Sequence, residues 1–402
     1  MHMGRSFGMG AAVACGLNSV PGSCVCPTAN SSSLTQAYYP PQAVCTEFYV
    51  PVTFEAENVI FNFPKWDDDY ALEDFLAVAT TRASANLGSI AAGTKKETVT
   101  REIAASFCTP KNLNGKEKTV ILATHGIGQA RSHWNSPYKP AEYNFVQHAI
   151  GQGYSVFFYD RLGTGDSEKV SGYENQLGTQ VGLLKALTSI VKSGDYTPGV
   201  GKPGKLVVMG FSFGSYVTHA AIGSQPDIAD AVVLTAIGLN TTGVNANGLV
   251  RSFVPRIASQ QNPLRFGDLD TGYLTWVDKF SQINTYFKRP FYDEPTTDFA
   301  EAQKEAFSIA EFLTILNGND NKGNLDACGF TGPVLTITGL DDYIVCDGFC
   351  PGVYDEPAST FYKNAKPFVP YLHPNASHNF NFHKNATGAY TVITDFLTAN
   401  LK

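Results

Sequence analysis

The chain has 402 residues, 43% of them hydrophobic and 16% charged, and it carries a formal net charge of −7. This composition is typical of a globular protein with a sizeable core, and the length suits one large α/β domain with an insertion. The acidic balance and the lack of clustered basic residues argue against nucleic acid or an anionic membrane as a partner, and without a run of eighteen apolar residues the sequence predicts no membrane span.

The first 44 residues are predicted to form an arm outside the main fold. Residues 1–15 combine one arginine with a weak apolar stretch, which fits either a residual signal peptide or residues foreign to the mature chain. Residues 16–44 are rich in Ser, Pro, Asn and Gly and contain two cysteines, Cys24 and Cys26. This pattern predicts an irregular arm that disulfide bonds tie down.

The eight cysteines favour disulfide bonds over a metal site. The close pairs Cys24/Cys26 and Cys346/Cys350 lack companion His or Cys residues at metal-ligand spacing, so no metal is predicted. Three residues separate Cys346 from Cys350, which makes a tight but allowed ring, and we predict a disulfide between them. The spacing leaves the other pairings open.

Four N-x-S/T sequons accompany these cysteines and predict N-glycosylation. They begin at Asn30, Asn240, Asn375 and Asn385. Cysteine-rich chains with glycosylation sites are typical of an oxidising compartment. The sequence therefore predicts a protein secreted through the secretory pathway.

Two patterns of secondary structure follow the arm. Cys45–Glu55 and Glu97–Phe107 alternate apolar and polar residues, which predicts strands, and Asp69–Ala85 has helical spacing between them. From residue 118, short apolar runs alternate with helical segments, which predicts a mostly parallel sheet covered by helices on both faces. The predicted strands are Thr119–Ala123, Ser155–Tyr159, Leu206–Met209 and Ala231–Leu234, and the predicted helices are 141–152, 174–194 and 213–223.

The alternation stops after Asn240 and resumes at Pro333. Residues 241–325 are predicted to be a largely helical cap, because apolar residues there recur at helical spacing. That spaced set is Tyr273, Trp276, Val277, Phe280 and Ile283. The sheet continues with Pro333–Gly339 and Pro367–Leu372, and a last helix is predicted at 387–401. The predicted divisions are an arm at 1–44, a first core part at 45–240, the cap at 241–325 and a second core part at 326–402.

Ser212 lies between Gly210 and Gly214, after a predicted strand and before a predicted helix. A serine on such a turn adopts a strained backbone that lifts its hydroxyl clear of the sheet. The two glycines fit this turn, because a side chain there would collide with the neighbouring helix and strand. The alternative is a small residue at an ordinary junction, but the context favours a nucleophile.

A nucleophilic serine needs a base that an acid orients. Three histidines follow the insertion, and His378 is favoured because it lies in the loop between a strand and the last helix, with His383 next. The spacing of His378 and His383 suits neither one helix face nor a zinc site. Candidate acids are the adjacent Asp341 and Asp342, of which only one can face the histidine.

The oxyanion of an acyl-transfer intermediate needs backbone donors. The amides of Phe213, after the candidate nucleophile, and Ile127, after the first parallel strand, are predicted to supply them, with His125 holding the loop. The stretch 160–167, DRLGTGDS, resembles a dinucleotide loop, but Glu168 replaces the third glycine, so no nucleotide cofactor is predicted. This stretch is predicted to support the turn beside Ser212.

The motifs HGIG, DRLGTGDS, GFSFGS, GLDDYIV and SHNF, in this order, resemble the capped serine hydrolases of the α/β-hydrolase superfamily, the esterases and lipases, over about residues 97–401. The resemblance implies the α/β-hydrolase fold with an inserted helical cap, Asp342 as the acid and His378 as the base. Ser377 stands where the family usually has glycine. The cysteines and sequons look like those of secreted fungal members.

These features predict a secreted serine hydrolase that cleaves a carboxylic ester or lactone of an apolar small molecule without a cofactor. Tyr273, Trp276 and Phe280 are predicted to roof its pocket. Epoxide hydrolases and dehalogenases of this fold use an Asp nucleophile, so Ser212 argues against them. An acyltransferase with the same triad, or a non-catalytic binding protein lacking one triad member, is the alternative. The sequence does not indicate an oligomeric state.

Overall fold

The computed structural model describes residues 38–81, 90–239, 246–316 and 326–401. Most of the predicted arm, including Cys24 and Cys26, lies outside the described residues, as do the sequons at Asn30 and Asn240. Among the described helices, none combines the length and the apolar character that a membrane crossing requires.

Eleven strands occur in the described residues. They are β1 (Ala43–Phe61), β2 (Ala91–Pro110), β3 (Thr119–Thr124), β4 (Ser155–Tyr159), β5 (Lys205–Phe211), β6 (Ala231–Thr235), β7 (Pro255–Ile257), β8 (Tyr273–Trp276), β9 (Phe307–Ser308), β10 (Val334–Gly339) and β11 (Phe368–His373).

Fourteen α-helices separate and cover these strands in the same described ranges. They are α1 (Asp69–Ala79), α2 (Pro140–Tyr143), α3 (Phe145–Gly151), α4 (Leu177–Ser193), α5 (Phe213–Ser224), α6 (Ala246–Phe253), α7 (Ala258–Gln261), α8 (Pro263–Phe266), α9 (Lys279–Tyr286), α10 (Glu294–Gln303), α11 (Ile309–Leu316), α12 (Tyr343–Cys346), α13 (Ala358–Phe361) and α14 (Ala386–Asn400). Short 3-10 helices lie at Lys116–Lys118, Arg131–His133, Pro226–Ile228 and Phe380–Phe382.

The main sheet has eight strands in the order β1-β2-β4-β3-β5-β6-β10-β11. The strands from β4 to β11 in this order pair in parallel, whereas β1 and β2 are antiparallel. The residues of β4 and β6 are buried throughout, as expected for strands covered on both faces. The predicted mostly parallel sheet flanked by helices is confirmed.

The hairpin of β1 and β2 extends further than the sequence pattern predicts. Pairing continues beyond the apolar stretch to Val59 opposite Thr94, because each strand satisfies the backbone hydrogen bonds of the other where the side chains are polar. Cys45 and Cys108 face each other near the opposite end of the hairpin and form a disulfide.

The insertion is less helical than the sequence predicts. Strands β7, β8 and β9 form a small antiparallel sheet there, among short helices. The prediction that Tyr273 and Trp276 lie on a helix is wrong, because both belong to β8. All four residues of this strand are buried. A short run that is buried on both faces therefore matched the helical spacing by coincidence. Phe280 does lie on a helix, α9, and is 65% exposed.

Parallel strands bring their carboxyl ends to one edge of the sheet. The residues that follow β3, β5, β10 and β11 therefore meet at this edge, although they are far apart in the sequence. The candidate functional residues lie in these four connections.

Candidate active site

Ser212 occupies a strained turn between β5 and α5, with φ of 52° and ψ of −117°. Positive φ is unusual for a residue with a side chain. The turn is possible because its neighbours are glycines: a Cβ added at Gly210 would lie 2.3 Å from the Gly214 oxygen, and one at Gly214 would lie 2.2 Å from the Thr124 oxygen. The backbone N–H of Ser212 donates to the Thr235 oxygen at 2.9 Å.

His378 lies between Ser212 and Asp342. Its Nε2 is 2.8 Å from Ser212 Oγ, and its Nδ1 is 3.0 and 2.9 Å from the two carboxylate oxygens of Asp342. An acceptor-only carboxylate requires a proton on Nδ1, so Nε2 presents its lone pair to the serine hydroxyl. The side chains of His378 and Asp342 are fully buried, whereas Ser212 is partly exposed.

The loop after β10 turns Asp342, and not Asp341, toward the histidine. Asp342 accepts hydrogen bonds from the backbone N–H of Val345 at 2.9 Å and from the Thr338 hydroxyl. Asp341 is only partly buried. A disulfide joins Cys346 and Cys350 directly after this turn.

His383, the second candidate base, holds the loop that carries His378. Its Nδ1 donates to the Asn379 oxygen at 2.8 Å, and its Nε2 accepts from the Ser377 N–H at 3.3 Å. It therefore bonds to the residues on both sides of His378. Burial lowers the pKa of His383 to about 4, so the side chain is neutral when it accepts. His373 is likewise bonded to main chain, at the Asn385 oxygen.

The loop after β3 lies directly against Ser212. A Cβ added at Gly126 would be 3.0 Å from Ser212 Cβ, and Ile127 follows it. Phe213 is the first residue of α5, where the backbone N–H has no acceptor within the helix. The two predicted oxyanion donors are therefore the amides next to the strained serine and in the loop beside it.

His125 is engaged within this loop. Its Nδ1 is 2.9 Å from the Gly126 oxygen, and its Nε2 accepts from the Arg161 N–H at 3.0 Å. Burial, reinforced by the Arg161 charge, lowers the pKa of His125 well below its usual value. A neutral, fully bonded imidazole suits a structural role.

The stretch 160–167 packs beside these loops. Asp160 accepts from the backbone N–H groups of Arg131 and Asp166 and pairs with the Arg131 side chain. The Arg161 guanidinium lies 4.6 Å from the centre of the Phe213 ring. This stretch therefore supports the residue that follows Ser212.

A small cavity of about 30 Å³ lies between the loop after β3 and helices α9 and α10. Amide side chains and phenylalanines line it, and several adjoin the motif residues: Gly128, Gln129, Gln282, Phe299, Asn379 and Phe382. Three of the six lie close to Ile127 or His378 in the sequence, the other three carried no such signal, and sequence reasoning missed them all.

The three residues predicted to roof a pocket do not line this cavity. Tyr273 points its hydroxyl at Gly163, and the Trp276 ring packs against Gly128. Phe280 faces solvent. In the part of the chain that the structure describes, no three His, Cys, Asp or Glu side chains are grouped as metal ligands would be.

The mostly parallel sheet and a serine on the strained strand-to-helix turn define an α/β protein with a candidate nucleophile at the carboxyl edge of its sheet. The sequence pattern of the alpha/beta hydrolase family matches residues 120–387, and the chain belongs to this family. Among curated proteins, no sequence matches the chain at a significant level.

Solved structures share the fold at low sequence identity. A monoacylglycerol lipase from Paleococcus ferrophilus has a TM-score of 0.50 and 14% identity, and the match covers 74% of this chain and 99% of the lipase chain. A thermophilic esterase from Thermogutta terrifontis has a TM-score of 0.49 and 16% identity, covering 74% of this chain and 94% of its own. At 14% identity the likeness to the lipase concerns the fold alone, and the resemblance to secreted fungal members stays a prediction.

The buried histidines predict that the protein loses stability in mild acid. The pKa of His383 is about 4 in the folded protein, against 6.5 ordinarily, so the unfolded chain binds more protons between these values. The contribution is complete above about pH 6.5 and is lost as the pH falls toward 4, by about 1–3 kcal/mol. Urea unfolding of wild type and His383→Gln between pH 7.5 and 4.5 measures this.

We expect His383→Gln to be less stable than wild type at pH 7.5 but to lose less stability on acidification. Parallel pH profiles for the two proteins would contradict this assignment. His133, whose pKa burial lowers to about 3, accounts for part of the remaining slope.

Proposed function

We propose that the protein is a serine hydrolase that cleaves a carboxylic ester or lactone. The observation that carries this proposal is the continuous hydrogen-bonded chain from Ser212 through His378 to Asp342. This arrangement of nucleophile, base and orienting acid is the one that acyl transfer requires. The partial exposure of Ser212 leaves the nucleophile accessible to a substrate.

In the proposed mechanism, Ser212 Oγ attacks the carbonyl carbon while His378 Nε2 takes the hydroxyl proton. Asp342 stabilises the resulting imidazolium, and the amides of Ile127 and Phe213 donate to the oxyanion. Collapse of the intermediate breaks the bond to the alcohol oxygen, which receives the proton from His378. Water, activated by the same histidine, then releases the acid and regenerates Ser212.

The side chains that line the small cavity beside the loop are both apolar and polar. Phe299 and Phe382 offer apolar surface, and Gln129, Gln282 and Asn379 offer hydrogen-bonding amides. We therefore propose an apolar small-molecule ester that carries at least one hydrogen-bonding group. An acyltransferase would use the same residues with an alcohol or amine in place of water, so product analysis with an added acceptor separates the two activities.

Secretion is part of the proposal, and the disulfides Cys45–Cys108 and Cys346–Cys350 support it. Of the two sequons in the described residues, Asn375 is exposed, whereas Asn385 is partly buried at the start of α14. We expect expression through a secretory pathway to place a glycan on Asn375. Peptide mapping of wild type and Asn375→Gln checks this, and an unmodified Asn375 would contradict it.

Replacing the proposed nucleophile tests the function directly. Ser212→Ala is expected to lower kcat for p-nitrophenyl esters by roughly 10³-fold or more, because no other group can form the acyl-enzyme. An organophosphate is expected to label Ser212 in wild type, as mapped by mass spectrometry. Ser224→Ala, at the far end of the same helix, is the matched control. Near-normal hydrolysis by Ser212→Ala, or a label on another serine, would overturn the proposal.

The adjacent aspartates provide a second test. Asp342→Asn is expected to lower kcat by up to about 10⁴-fold, because an amide neither fixes the imidazole tautomer nor stabilises the imidazolium. Asp341→Asn, as the matched control, is expected to stay within about tenfold of wild type. Steady-state kinetics of the two purified variants make the comparison. The reverse order would assign the acid to Asp341, and mild effects for both would place it elsewhere.

A further inference from the structure

The insertion bonds directly to the loop at residues 126–128. The Tyr286 hydroxyl donates to the Ile127 oxygen at 2.9 Å, and the Glu305 N–H donates to the Gly128 oxygen at 2.9 Å. Trp276 packs so closely that a Cβ at Gly128 would lie 2.0 Å from its ring. Three separate parts of the insertion therefore contact two consecutive residues of this loop.

The remaining carbonyl of the loop, that of Gly126, is held from the other side. It accepts from His125 Nδ1 at 2.9 Å and from Arg161 Nη2 at 3.2 Å. Arg161 forms an ion pair with Glu311 of the insertion, and both side chains are fully buried. The insertion therefore reaches the Gly126 carbonyl as well, through Arg161.

These bonds determine where the amides of the loop point. A trans peptide is planar, and its carbonyl and N–H point in opposite directions. The Gly126 carbonyl and the Ile127 N–H belong to one peptide unit. Fixing this carbonyl toward Arg161 therefore directs the Ile127 N–H away from Arg161, and the Tyr286 bond fixes the next peptide in the same way.

We propose that the insertion positions the oxyanion hole through two positioning residues: the Glu311-bound Arg161 orients the peptide that carries the Ile127 N–H, and Tyr286 fixes the peptide that follows it. This inference rests on the proposed function, in which Ile127 and Phe213 hold the oxyanion. It assigns the insertion a role in transition-state stabilisation in addition to enclosing the substrate. Because burial raises the pKa of Tyr286, its hydroxyl remains a donor over the working pH range.

Tyr286→Phe tests the proposal by removing one hydroxyl and leaving the ring, which packs 5.2 Å from the His378 ring. Tyr390→Phe is the matched control: both tyrosines are 1% exposed, and Tyr390 also donates to a backbone oxygen, that of Asn381 at 3.2 Å. Both variants are measured with a p-nitrophenyl ester and with a trifluoromethyl ketone, whose serine adduct carries an oxyanion. Circular dichroism and Tm check that each variant is folded.

We expect Tyr286→Phe to lower kcat about tenfold, to leave KM within about twofold, and to raise the Ki of the trifluoromethyl ketone by the same factor as kcat/KM falls. Glu311→Gln is expected to show the same pattern, because it weakens the support of Arg161. Tyr390→Phe is expected to match wild type within about twofold in all three constants.

The outcomes separate this inference from the proposed function. A wild type that neither hydrolyses the ester nor forms an adduct with the ketone would contradict the proposed function. If wild type is active and Tyr286→Phe behaves like Tyr390→Phe, the positioning role is overturned. A rise in KM with unchanged kcat would also overturn it, since it would assign Tyr286 to substrate binding.

Discussion

The backbone strain at Ser212 is the constraint on which the rest of the site depends. A residue with a side chain at positive φ costs about 1–3 kcal/mol and persists only where its surroundings enforce it. Here the enforcing group is the end of β6: the Thr235 oxygen accepts from the Ser212 N–H and from the Ser215 hydroxyl, which in turn accepts from the Thr235 N–H. The turn is thereby fixed to the neighbouring strand, and Gly210 and Gly214 leave the space that it needs.

Beside this turn, both oxygens of the buried Asp342 carboxylate have hydrogen-bond donors. Asp342 is completely buried, a costly position for a carboxylate unless it is hydrogen-bonded. It accepts from Thr338, Val345 and His378, which belong to its own strand, its own turn and the loop after β11. These bonds couple the turn after β10 to the loop after β11, so that the geometry of one depends on the other. His383 extends the coupling by bonding to both neighbours of His378.

The insertion completes the opposite side of the site. A buried ion pair such as Arg161–Glu311 is rarely the most stabilising choice, because desolvation offsets much of the attraction. Its position fits an orienting role: Arg161 contacts the oxygen of Gly126, the residue before one proposed oxyanion donor, and the ring of Phe213, the other donor. The cavity lies where the insertion meets the same loop, so one set of contacts shapes the pocket and supports the amides.

The sequence by itself determined the features that depend on neighbouring residues. Short buried runs between helical segments predicted the parallel sheet, and glycines on either side of Ser212 predicted its strained turn, because local sterics decide both. Prediction from sequence failed where one local pattern is compatible with two structures. The spacing of Tyr273 and Trp276 fits a buried strand as well as a helix, and the structure has a strand there.

The tertiary structure alone decided which distant side chains meet. The resemblance to a family singled out Asp342 and His378, but residue spacing left both adjacent aspartates open, and only the fold shows that Asp342 turns toward His378. Tyr286 and Ile127 are 159 residues apart, and no sequence motif contains both. Such contacts arise from the packing of the insertion over the sheet edge, and packing depends on the shapes of all the intervening elements rather than on any local rule.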